Sequence, residues 1–198
     1  MIPRHLKIGV ALMLAVALGM GIYLWRMRGR AQQTEPTAQY APVAPPVSGP
    51  TEQVTLYVAD DNPGVLRAQG ARIPLPSGRQ ERAEELLRAL LTIYLDKSSP
   101  HPLAPGSEVR NVYLADAGLA VVDTNSAFAD QHRSGILVEE LTVASMVETL
   151  SANVPGVTRI KILVDGKSRD TLAGHADLSG FYDASAVHQL VGQLYNSQ

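Results

Sequence analysis

Five histidines, His5, His101, His132, His175 and His188, are the side chains of this 198-residue chain best suited to acid–base or metal chemistry near neutral pH. None lies four residues from another histidine or a carboxylate, so no helix can offer a zinc-type ligand pair. His175, with Asp177 two residues on, is the best candidate, and in a loop that spacing more often marks a turn-holding hydrogen bond than two ligands. Asp123 and Asp165 each end a β-rich run, where catalytic carboxylates sit on open sheets. Aspartate also bonds local backbone in turns, and Asp165-Gly166 is a turn pair. G-x-S-x-G, G-x-x-x-x-G-K-[ST] and strand-borne G-x-G-x-x-G patterns do not occur, so acyl-transfer and nucleotide chemistry lack their usual parts. With no cysteine there is no thiolate nucleophile, disulfide, iron–sulfur cluster, Cys-based zinc site or lipid-modified cysteine. The residues therefore point to no catalytic, cofactor or metal site.

The elements that would carry these residues begin after two appendages. Leu6 to Leu24 is apolar except for Lys7, and at about 1.5 Å per residue it reaches roughly the ~30 Å of a bilayer core. Tyr23 and Trp25 fall where aromatic rings favour the headgroup layer, followed by Arg26, Arg28 and Arg30. A cleaved signal peptide is the alternative, but Tyr23-Leu24-Trp25-Arg26 is a poor cleavage context, which favours an uncleaved anchor over residues 1–30. Arg4 before the segment and Lys7 at its start nearly balance the arginines after it, so charge alone does not orient it. Residues 31–53 carry Pro36, Pro42, Pro45, Pro46 and Pro50, which deny helix and interior strand and predict an extended, solvated spacer.

In the remainder, Val54, Leu56 and Val58 alternate as in a strand, ended by Asp60-Asp61-Asn62-Pro63-Gly64, and Val65 to Ile73 is expected to return as a hairpin. Ala83, Leu86, Leu87, Leu90, Leu91 and Tyr94 form one helical stripe, with Ser77 at a plausible capping distance. Val109 to Leu114 and Leu119 to Val122 read as a second hairpin. A helix is expected from Leu137 to Ala152, burying Val143, Val147 and Leu150, and then a strand from Val157 to Val164. Val187, Leu190, Val191 and Leu194 mark a short C-terminal helix. The expected class is α/β (α+β) with order β(β)αββαβ, two helices on one face of a small mixed sheet, preceded by a transmembrane helix. The predicted segments are the anchor 1–30, linker 31–53, domain 54–183 and C-terminal helix or tail 184–198.

In order and spacing these pieces resemble the GerMN domain found in proteins of sporulation and spore germination. The resemblance spans roughly Thr51 to Asp183. It is carried by Val54-Thr55-Leu56-Tyr57-Val58, Leu86-Leu87-Arg88-Ala89-Leu90-Leu91, Val112-Tyr113-Leu114 and Ala120-Val121-Val122-Asp123. Val147-Glu148-Thr149-Leu150, Ile160-Lys161-Ile162-Leu163-Val164-Asp165-Gly166 and the closing Thr171 to Ser179 run complete it. The resemblance implies an extracytoplasmic domain without catalytic residues, similar to ring-building modules that pack side by side in envelope assemblies. It therefore orients the anchor, with a short cytoplasmic N-terminus and the domain outside the cytoplasmic (inner) membrane.

The net charge of -2 divides unevenly: residues 1–50 hold five basic side chains and Glu35, leaving 12 basic and 18 acidic residues beyond them. An acidic domain repels phosphate backbones, which disfavours a nucleic-acid partner. The expected function is a non-catalytic module binding other envelope proteins, copies of itself included, on a lipid-bilayer anchor at Leu6 to Leu24. The alternatives are a peptidoglycan or small-ligand binding module, and an enzyme using Asp123, Asp165 or His175.

Overall fold

A computed structural model describes residues 50–115 and 118–196. The expected anchor, most of the linker and His5 lie outside those residues. Among the described residues no helix is long and apolar enough to cross a membrane.

The chain opens with β1 (Thr51–Asp60) and β2 (Val65–Pro74), paired antiparallel from Thr51↔Pro74 to Asp60↔Val65. Thr51, Glu52 and Gln53, expected in the linker, already belong to this ladder. The turn between the strands closes where Gly64, at φ +89°, donates to Asp60 O over 2.9 Å. Helix α1 (Arg79–Leu95) follows and buries the whole expected stripe, Ala83 through Tyr94. Ser77 does not cap it: Gly78 holds the N-cap position in extended backbone, and no side chain bonds the first turn.

The second hairpin comprises β3 (Val109–Ala115) and β4 (Leu119–Thr124). A short helix α2 (Ser126–Asp130), capped by the Asn125 side chain on Phe128 N, leads to the long α3 (Ile136–Asn153). β5 (Arg159–Val164) then pairs parallel to β4, and the two-residue β6 (Tyr182–Asp183) pairs antiparallel to the start of β5. Helix α4 (Ala184–Asn196) ends the described chain.

The α+β class and element order agree with expectation, but the single mixed sheet does not. There are two sheets, the β1–β2 ribbon and a four-stranded sheet of order β3-β4-β5-β6. The reason lies on the outer edge of β1. Asn153 at the end of α3 accepts from Thr55 N (3.1 Å) and donates to Thr55 O (2.7 Å). Thr149 accepts from Tyr57 N (3.0 Å), and the Tyr94 hydroxyl from Ala59 N (2.8 Å). Helix side chains thus take the place of a neighbouring strand, satisfy the backbone there, and leave β1 nothing to offer β3 or β5. α1 packs on β3 and β1, while α3 runs along β1 and also touches β2, α1 and α4, so α3 is the central element among the described residues.

Candidate functional site

Asp123 and Asp165 meet at the same end of the four-stranded sheet, and both do structural work. Asp123 Oδ1 accepts from Gly166 N at 2.7 Å, and Asp165 accepts from Arg110 at 2.8 Å. Asp165 (φ +49°) and Gly166 (φ +71°) both lie in the left-handed region, as a two-residue type I′ turn requires, and the turn is closed by paired bonds between Val164 and Lys167. The turn reading of Asp165-Gly166 is therefore correct.

His175 is tied to a residue that sequence reasoning passed over. Its Nδ1 lies 2.8 Å from Oε1 of Glu139, a fully buried carboxylate in the first turn of α3, and 3.3 Å from Ser134 Oγ. Asp177 is not its partner; it accepts from Ser179 N at 2.7 Å inside its own turn. Glu139 also receives the backbone N–H groups of Gly135, Ala173, His175 and Ala176 at 2.9–3.1 Å. Burial alone would raise its pKa, but the His175 bond and these amides outweigh burial and hold the carboxyl at about 2. The run from Thr171 to Leu178 is thereby wrapped on one internal anion.

A second buried chain links three loops to α3. Asp61 Oδ1 accepts from His101 Nδ1 at 2.5 Å, and His101 Nε2 lies 2.6 Å from Thr142 Oγ1. On the other side of that hydroxyl, His132 Nε2 lies at 2.7 Å, and His132 Nδ1 meets the Arg133 carbonyl at 2.8 Å. Arg133 also pairs with Asp61. Burial, more than any neighbouring charge, lowers the pKa of both imidazoles. At Asp61 burial works upward, yet the bonds from Arg133 and His101 bring the carboxyl below its usual range.

Asp61, His101 and Thr142 have the connectivity of an acid–base–nucleophile triad. Their setting denies that use: His101 and Thr142 are fully buried, and the hydroxyl is shared with a second imidazole and donates to Val138 O at 3.0 Å. A pocket of about 250 Å³ lies elsewhere, lined by Arg79, Leu114, Gly118, Leu119, Gly156 and Val157, and among the described residues Arg79 is its one ionisable side chain. Among the described residues no group of three or more His, Cys, Asp or Glu could hold a metal ion. His188 pairs with the buried Glu148 at 3.1 Å and fastens α4 to α3.

A sequence signal for the missed residues did exist. Glu139, Thr142, Thr149 and Asn153 recur at spacings of three, seven and four and make a polar stripe on one face of the helix. Such a stripe on a central helix must find partners, and these are the loops and the edge of β1.

Surface geometry singles out one strand edge. The amides of Thr55, Tyr57 and Ala59 point to α3 and α1, so even-numbered residues of β1 bond β2, and with the observed register odd-numbered residues of β2 answer them. Leu75 N bonding Pro50 O at 3.1 Å fits the same alternation. Ala68, Gly70 and Arg72 therefore turn their N–H and C=O groups outward, along an exposed stretch from Arg67 to Gly70. Elsewhere edges are obstructed. Glu84 accepts from Val112 N on β3 at 3.1 Å, and beside β5 stand β6 and the Lys161 bonds to Leu178 O and Ser179 O.

Three comparisons bear on this architecture. The tandem GerMN domains of the sporulation protein GerM from Bacillus subtilis superpose with a TM-score of 0.52 at 19% identity, covering 69% of this chain and 48% of that one. The chain thus spans about half the length of that protein. The first GerMN domain of the same protein gives 0.46 at 20% identity, covering 65% and 93%, and a proposed lipoprotein of Clostridium perfringens gives 0.42 at 18%, covering 71% and 92%. At these identities the first match shows a shared fold. No curated protein sequence matches. The model of the family described as Germane, sporulation and spore germination, matches residues 55–170, more than half the chain. The chain belongs to the Germane family of sporulation and spore germination, as its strand and helix order and its GerMN-type runs led one to expect.

Proposed function

We propose that this chain is a single-pass protein of the cytoplasmic (inner) membrane, anchored by residues 1–30 and spaced by 31–50, whose extracytoplasmic domain binds other envelope proteins and performs no catalysis. The observation that carries the reading is the contrast between ionisable clusters sealed inside the domain and the open edge of β2. Open main-chain donors and acceptors are a means of joining another chain by strand addition. Membership of a sporulation and germination family supports an envelope setting, and the apolar length of Leu6 to Leu24 supports the anchor.

A photo-crosslinking amino acid at Gln69 of the full-length chain in living cells, with Thr92 on α1 as control, tests the binding role. Discrete protein adducts from position 69 alone are expected. Adducts of equal yield at both positions, or none at either, would overturn it.

One feature favours the second reading, a peptidoglycan or small-ligand module. Phe181 is 59% exposed, with Arg159 and Lys161 at 5.8 and 5.9 Å from its ring centre. A ring flanked by cations can stack on a sugar carrying a carboxylate. Co-sedimentation of the full-length chain with purified peptidoglycan, lost in Phe181→Ala, would support that reading, and a chain left in the supernatant would exclude it.

A further inference from the structure

We propose that the β2 edge pairs with the β2 edge of a second copy of this chain, antiparallel and about a twofold axis at Gln69, joining two ribbons into one four-stranded sheet. The proposal rests on the binding-module reading and names one partner for it.

Charge decides against a strongly charged partner strand. The cations of β2 are already engaged, Arg67 with Asp60 at 3.0 Å and Arg72 with Gln53 at 3.4 Å. What remains between them is neutral and small: Ala68, Gln69, Gly70 and Ala71. Folded on itself about Gln69, this segment is its own complement. Ala68 meets Gly70 of the second copy and Gly70 meets its Ala68, so that the outward N–H and C=O groups of both strands bond each other in hydrogen-bonded pairs. Gln69 faces Gln69 of the second copy in the closer, non-hydrogen-bonded position, where two carboxamides can bond. Arg67 faces Ala71 of the second copy, so no like charges oppose one another.

The alternative axes are poorer. Shifting the axis by half a residue moves outward groups of one strand against inward groups of the other; a whole-residue shift keeps outward groups facing, but at Ala68 it sets Gly70 against Leu66, 1% exposed and packed in the core, and at Gly70 it sets Arg67 against the apolar Ile73. An isologous contact of this kind closes after two copies. A lone two-stranded ribbon is also a marginal sheet, and four strands are within the usual range. The contact area of two strand edges is at the small end of interfaces, so the dimer is transient in solution. Confinement of two anchored copies to one membrane would raise its occupancy through local concentration.

The absence of cysteine makes the test clean. Gln69→Cys in the otherwise cysteine-free full-length chain, in detergent micelles under mild oxidation, is expected to form a disulfide dimer at least tenfold faster than Thr92→Cys. Adding Ala68→Pro is expected to abolish that excess without unfolding the domain, because the lost N–H points away from β1. In case the proline disturbs the strand, Gln69→Arg in the cysteine-free background places two like charges on the axis, and by light scattering it should raise the dimer dissociation constant at least tenfold. Equal crosslinking at positions 69 and 92, an excess unaffected by Ala68→Pro, or a wild-type chain monomeric at all concentrations would overturn self-pairing. Such a failure leaves protein adducts at Gln69 in cells unaffected, so the two proposals fail separately.

Discussion

One side-chain amide, that of Asn153, takes both backbone hydrogen bonds of Thr55, a residue 98 positions away in the chain, and so ends a sheet. It also donates to Thr149 O at 2.7 Å, which holds the carboxamide in place at the last turn of α3. Asn153→Ala is expected to cost about 1–3 kcal/mol, the penalty of leaving part-buried main-chain groups unpaired. Asn153→Asp should cost more, because its carboxylate faces the Thr55 carbonyl with no hydrogen between them. Urea unfolding followed by circular dichroism measures both, and equal stability of the two variants would refute the strand-like role.

Glu139 makes stability depend on acid in a defined window. Its folded pKa is depressed from an ordinary 4.5 to about 2, so the unfolded chain binds the proton first. The stabilisation is therefore complete above the unfolded value and is lost as pH falls from about 4.5 towards 2; at about 1.4 kcal/mol per unit it amounts to roughly 3 kcal/mol. Glu139→Gln should flatten the stability curve across that window while lowering stability at pH 7. A curve of unchanged slope would show that the carboxylate is not held as an anion.

Much of this architecture was legible beforehand, and the failures share one cause. The α1 stripe from Ala83 to Tyr94, the alternation in β1 and β5 and the Asp165-Gly166 turn are all local patterns, set by helix and strand periods and by backbone preference. Asn153 falls just past the expected helix end, Asp61 in the expected turn and Glu139 within the expected helix, and none of these places reveals its role, since their partners lie 98, 40 and up to 37 residues away. Periodicity states which face is buried. It does not state that a polar residue on that face will replace a strand, and for that reason one sheet was expected where there are two.

The two buried imidazoles share the Thr142 hydroxyl, and the partners on their far sides set their hydrogens. A carboxylate and a carbonyl can only accept, so Asp61 and Arg133 O require a hydrogen on Nδ1 of His101 and His132. Both Nε2 atoms then turn lone pairs to one hydroxyl, whose single hydrogen serves only one of them or Val138 O at a time. At pH 7 nitrogen-15 spectra should show both rings as neutral Nδ1–H tautomers, since burial lowers their pKa values. Stability should fall as pH drops below about 6.5, where the unfolded chain takes up protons that the folded rings resist. Thr142→Val should destabilise by about 1–3 kcal/mol, and Thr142→Ser, which keeps the hydroxyl, by less. An Nε2–H tautomer at His101 would contradict the assignment.

Two glycines with nearly the same backbone separate conformational strain from collision. Gly106 lies at φ +84°, and a Cβ there would meet nothing within 4 Å. Gly118, at φ +76° beside the β3–β4 turn, accepts from Thr158 N through its carbonyl, and a Cβ there would stand 2.6 Å from both Gly156 O and Thr158 Oγ1. Gly106→Ala therefore pays only the left-handed penalty, about 1–2 kcal/mol. Gly118→Ala pays the same and must in addition push the hairpin away from the start of β5, straining the parallel β4–β5 pairing. Its expected cost exceeds that of Gly106→Ala by at least about 1 kcal/mol, in line with overpacking elsewhere. Thermal unfolding of the two variants decides the matter: equal losses would mean that the hairpin and β5 are not held together at Gly118.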